Sequence, residues 1–245
     1  MGEPSQIAWV HYLPIVTTAV AAVFSASLFR RYAGRPTPHL LWWAIGIACY
    51  GAGTLVEATI TLAGNSVLLT KTWYITGAIL GGYPLAQGSL FLSYPRAFAK
   101  RATSISLPFV AVACVLVALS PVVPAALEPH LPTPGVLGWR WVRLMTPFIN
   151  TYAMFFLFGG AAASAWRFWR MRDSRYRAIG TALIAAGALL PGIGGLLANA
   201  GLVEALYVGE CIGLVVIWTG ERACAYRRAP RRAPVAGREP ATPVM

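Results

Sequence analysis

Acidic side chains, lysine, histidine and cysteine are all scarce in this 245-residue chain, and each shortage removes a class of function. The cysteines are Cys49, Cys114, Cys211 and Cys224, with no CxxC pair among them. Three fall inside apolar stretches and the fourth just beyond the last one. No disulfide framework and no thiolate zinc site is expected from that placement. Three scattered histidines argue against a multi-histidine metal centre, and no HExxH, GxSxG or Walker loop is present. Charged residues make up only 11% of the chain. The amino-terminal Met1–Ser5 lacks the positive region of a signal peptide, so the first apolar stretch is expected to stay in the protein. Gln6 stands where a myristoylation motif needs Ser or Thr.

What the chain has instead is apolar length. It is 57% hydrophobic with a mean hydropathy of +0.61. Seven apolar stretches occupy about 7–29, 40–63, 72–94, 105–123, 142–166, 178–200 and 203–219. About 20 apolar residues suffice for a helix that crosses a bilayer. The predicted fold is therefore all-α: a polytopic membrane protein with a seven-transmembrane-helix bundle over residues 1–222. Too little chain remains for a soluble catalytic domain, which needs roughly 50 residues or more. Residues 223–245, proline-broken and rich in arginine, read as a disordered basic cytoplasmic tail. Contact of that tail with anionic lipid is one reading, and a plain topogenic role is the favoured one.

A net charge of +12 would suggest nucleic acid in a soluble protein. Here the basic residues sit beside the apolar stretches, so no nucleic-acid partner is expected and the lipid bilayer is the primary one. One alternate set of breaks holds Arg30, Arg31, Arg35, Arg96, Lys100, Arg101, the run Arg167–Arg177 and the tail arginines. The other holds only Lys71, Arg140 and Arg143, a partition of 17 against 3. The positive-inside rule then places the amino terminus outside and the carboxyl terminus in the cytoplasm. Abundant Ala, Gly, Arg and Pro over Lys and Asn suggests a bacterial source, so a multi-pass protein of the bacterial inner membrane is expected.

Ionisable groups within spans are costly and mark function by default. His11, Glu57 and Glu210 come to similar depths, roughly 6–10 Å below the outer boundary at 1.5 Å per residue. Glu204 lies at the outer mouth of the seventh stretch. In the second stretch His39, Trp43, Gly46, Tyr50, Gly53, Thr54, Glu57 and Thr61 recur at helical spacing, a stripe that faces protein rather than lipid. Candidate ligand-binding residues are His11, Tyr50, Thr54, Glu57, Lys71, Tyr74, Arg143, Asn150, Glu204, Tyr207 and Glu210. They would line one outward-facing polar pocket between the first, second, third, fifth and seventh spans. A plainer reading pairs Glu57 with Lys71 or Arg143. Trp139 and Trp141 fit an aromatic belt at the interface. Candidate hinges are Pro84 and the Pro191, Gly192, Gly194, Gly195 segment, where missing hydrogen bonds and glycines weaken a helix. No internal repeat stands out.

The layout is similar to the seven-helix sensor modules that precede signalling domains in bacteria, a likeness of architecture alone. Microbial rhodopsins also have seven helices, but they hold retinal on a lysine in the last one. This chain has only Lys71 and Lys100, which excludes covalent retinal, and no other cofactor is expected. The leading expectation is a membrane sensor or small-ligand-binding module, not an enzyme. It would take a small molecule or a proton at the outer pocket and a cytoplasmic protein partner at the arginine-rich loops. A small-solute or proton-coupled transporter using Glu57 and Glu210 is the alternative. A membrane enzyme or an assembly subunit ranks below both.

Overall fold

A computed structural model describes residues 9–171, 174–200 and 202–226. Among them the chain is helical, with no strands beyond one isolated bridge between Val122 and Leu137. The helices are α1 (Leu13–Gly34), α2 (Pro38–Ala63), α3 (Val67–Trp73), α4 (Tyr83–Ser93), α5 (Arg96–Leu119), α6 (Met145–Ala153), α7 (Gly160–Trp169), α8 (Arg175–Asn199) and α9 (Val203–Tyr226). Wider π-turns at Tyr74–Ile79 and Met154–Gly159 join α3 towards α4 and α6 to α7. Five described segments are long and apolar enough to cross a membrane: Leu13–Gly34, Pro38–Ala63, Arg96–Leu119, Arg140–Trp169 and Arg175–Ala198. Their outward faces carry large apolar side chains such as Ile105, 77% exposed, and Leu196, 72% exposed. Polar residues such as Gln87 and Glu57 lie inside instead. That inversion suits a hydrocarbon surround and would be costly in water.

Helix ends follow local chemistry. Pro38 opens α2, where a missing N–H costs nothing. Gly64 closes it at φ +88, a conformation that only glycine takes freely. Ser66 caps α3 by accepting a hydrogen bond from the Leu69 N–H at 3.2 Å. Real helices overrun the apolar stretches. Helix α5 begins at Arg96, so Lys100 and Arg101 lie inside it, because long basic side chains can stretch from a helical backbone to polar headgroups. Helix α9 continues to Tyr226, past the residue where the tail was expected to begin. The rest of that tail lies outside the described residues.

Small residues set the register of the bundle. A methyl group on Gly51 would stand 2.8 Å from the Ala21 Cβ, so α1 and α2 pack tightly there. Three residues along each antiparallel helix, Thr54 and Thr18 share a 3.0 Å hydrogen bond. The closest pairing joins α8 and α9. Methyl groups added to Gly180, Gly187 and Gly194 would strike Gly220 O at 2.8 Å, Gly213 O at 2.6 Å and Ala205 O at 2.7 Å. Three glycines spaced by seven thus lay one helix backbone against the other. Pro191 belongs to this seam, its Cδ only 2.9 Å from where a Gly213 methyl would stand. The helix remains unbroken through Pro191 and Gly195. The interrupted region lies instead at Leu80–Gly82, with Pro84 opening the helix that follows.

Candidate functional site

Helix register explains how the main polar cluster forms. Helix α2 runs antiparallel to α3 and the π-turn that continues it, and touches that turn where a Gly53 methyl would meet the Gly77 Cα at 2.9 Å. One helical turn towards the connecting loop, the same register sets Glu57 opposite Trp73. The Trp73 indole N–H donates to Glu57 Oε1 at 2.6 Å. Glu57 is 1% exposed. It lies six residues from the end of α2, about 9 Å along the axis. Glu210, seven residues into α9, brings its carboxyl beside that of Glu57. The Tyr50 hydroxyl donates to the Glu210 backbone oxygen at 3.1 Å and ties α2 to α9. Tyr207 is buried on the same face of α9, within electrostatic reach of both carboxyls. One oxygen of each carboxyl, Oε2, is buried without a protein hydrogen-bond partner.

The other candidates fall elsewhere. Lys71 does not reach Glu57; its Nζ donates to the Ala118 and Ser120 carbonyls at 2.9 and 2.7 Å. With Asn65, which bonds Pro129, Glu128 and Leu131, it stitches the long proline-rich loop onto the α2–α3 turn. Tyr74 and Thr146 share a 2.8 Å hydrogen bond, with Arg143 close by. Asn150 and Glu204 are exposed. His11 sits in the short helical turn Trp9–Tyr12, and its side chain lies outside the described residues. Tyr50, Glu57, Tyr207 and Glu210 therefore form the compact group, with Thr54 one turn away on α1's side. Trp73 belongs to it as well, although residue type alone does not single it out; its place four residues before Gly77 is the signal that points to it.

Two further arrangements were less legible. Gln87, fully buried on α4, donates to Ser106 Oγ at 3.0 Å and Tyr152 Oη at 2.9 Å, and accepts from Thr103 at 2.9 Å. Tyr83 joins through Ser106 at 2.9 Å. This network ties α4, α5 and α6 with its polar groups satisfied by one another.

At the opposite, arginine-rich end, a cavity of about 220 Å³ opens between α1, α2, α4, α7, α8 and α9. Its wall includes Arg31, His39, Trp43, Arg167, Arg177 and Glu221. Arg31 and Glu221 are ion-paired. No group of three or more His, Cys, Asp or Glu able to hold a metal occurs among the described residues. Comparison with protein-family models, with curated proteins and with solved structures gives no match.

Proposed function

We propose that this chain is a proton-responsive membrane sensor, with the Glu57–Glu210 pair as its binding site. The observation that carries the reading is the meeting of two carboxyls from different helices, each with one buried oxygen that no protein group satisfies. Two carboxylates in contact cannot both remain ionised at modest cost, so such a pair takes up a proton or a small cation between its oxygens. With a proton shared, α2 and α9 are bridged. Without one, like charges drive them apart. External acidity would thereby be converted into a change of helix packing.

The topology belongs to the same proposal. The broken segment from Val67 to Ser93 and the 24-residue α9 have the length to complete seven spans beside the five apolar segments. Both glutamates would then face the outer half and the arginine-rich end the cytoplasm, as in a bacterial inner-membrane protein. A cytoplasmic protein partner at that end would receive the change in packing.

Proton-coupled transport is the second reading, favoured by the Tyr83–Gln87–Tyr152 network in the bundle interior. Infrared difference spectra between acid and alkaline buffer test the shared premise. Wild type is expected to show a titrating carboxylic acid band that E57Q/E210Q lacks. Absence of that band in wild type would remove the pair as a proton site. A pH dye inside proteoliposomes separates the two readings: proton flux abolished by E57Q selects transport, and a titrating band without flux selects sensing.

A further inference from the structure

The arginine-rich cavity has an imbalance of charge that its own residues do not relieve. The Arg167 and Arg177 guanidiniums both lie over the ring of Phe168, at 5.4 and 5.7 Å from its centroid. One phenyl ring thus gathers two cations that repel each other. Among the described lining residues the only acid is Glu221, and it is engaged by Arg31. His39 adds a further imidazole to the wall.

The backbone contributes charge of the same sign. Two long helices, α2 from Pro38 and α8 from Arg175, begin at this cavity, and neither has an acid in its first turn. Helix amino termini carry partial positive charge and attract anions.

We infer that this cavity is a binding site for a phosphate-bearing anion, gripped by Arg167 and Arg177 and flanked by the first turns of α2 and α8. Guanidinium forks match phosphate oxygens in pairs, which suits this chemistry better than a monovalent halide. The space of 220 Å³ corresponds to roughly seven waters, enough for a phosphate with part of the group that bears it. Leucines 28, 40 and 92 offer an apolar side to that group. The source is either a phospholipid headgroup entering from the bilayer or a soluble phosphate compound. The site is independent of the glutamate pair.

The test uses the full chain in phosphatidylcholine nanodiscs and follows its thermal unfolding midpoint. One arm titrates inorganic phosphate against chloride at equal ionic strength. The other replaces part of the phosphatidylcholine with phosphatidylglycerol. A saturable rise is expected in at least one arm. The phosphate arm alone responding marks a soluble ligand, and the phosphatidylglycerol arm alone marks a lipid headgroup. R167Q/R177Q should raise the half-saturating concentration at least tenfold. R96Q/R101Q removes the same charge at the start of α5, outside the cavity, and should leave it unchanged. S164L narrows the cavity without removing charge and should also weaken the response, so it decides the matter if the double arginine variant does not fold. An equal rise with chloride, no rise in either arm, a response that persists in both cavity variants, or equal loss in R96Q/R101Q would each overturn the assignment.

Discussion

The hydrogen bond between Trp73 and Glu57 allows the sharpest test of how the carboxyl pair is held. Replacing Trp73 with Phe keeps an aromatic ring at the α2–α3 contact and removes the indole N–H that donates to Glu57 Oε1 at 2.6 Å. In water-soluble proteins a bond to a charged group contributes about 1.5–3 kcal/mol. Between membrane helices the measured range is lower, averaging about 0.6 and reaching about 1.7 kcal/mol. Glu57 is buried and its second oxygen has no protein partner, so the upper part of that range applies: about 1–1.7 kcal/mol for the bond. Truncating indole to phenyl adds a packing loss of its own. A double-mutant cycle with Glu57→Leu removes that loss, because it is common to both backgrounds. The assay is reversible unfolding in mixed micelles titrated with a denaturing detergent. W73F should cost about 1 kcal/mol more in wild type than in the E57L background. A coupling energy within about 0.3 kcal/mol of zero, the scatter seen for independent sites, would refute the claim that this bond orients the pair.

Three further predictions follow from contacts already described. Gly194→Ala should destabilise by about 1–3 kcal/mol, because its methyl would strike Ala205 O at 2.7 Å, whereas Gly195→Ala meets nothing within 4 Å and should stabilise by up to about 1 kcal/mol; unfolding midpoints of the two neighbours check both. Gln87→Leu removes three side-chain hydrogen bonds from the α4–α5–α6 network and should cost about 2 kcal/mol in the same assay, at the membrane average of about 0.6 kcal/mol per bond. In a background without the native cysteines, an impermeant maleimide applied to intact cells should label a cysteine placed at Glu128 and reach one at Arg175 only after permeabilisation; the reverse pattern would invert the proposed orientation.

Much of the helical layout was legible because membrane spans are long and written in composition. The small and polar stripe of α2 was legible for the same kind of reason: Gly46, Gly53, Thr54, Glu57 and Thr61 recur at helical spacing, and all of them are buried. Glu57 and Glu210 could be brought to one depth by counting residues. Their neighbours could not be read that way, because a partner on another helix depends on register, and register is set where backbones touch. Lys71 offered a charge for Glu57 but reaches the Ala118 and Ser120 carbonyls at the end of α5 instead. Weakness at Pro191–Gly195 was inferred from residue type alone. In the folded chain Gly194 and the Pro191 ring are pressed against α9, a packing role that residue type alone does not show. The seven-residue spacing of Gly180, Gly187 and Gly194 is present in the sequence but does not stand out among 24 glycines. The arginine-rich cavity was illegible because positive residues at that end are expected on topogenic grounds, whatever else they do.

The glycine seam between α8 and α9 has a mechanical meaning. Backbones locked in direct contact at three levels cannot slide or splay independently, so the two helices behave as one beam. Glu210 sits near one end of that beam, while Glu221 and Arg177 sit at the other, beside the arginine-rich cavity. Eleven residues of helix separate the two glutamates, about 16 Å. A small tilt begun at Glu210 would therefore reappear as a displacement of Glu221 and Arg177.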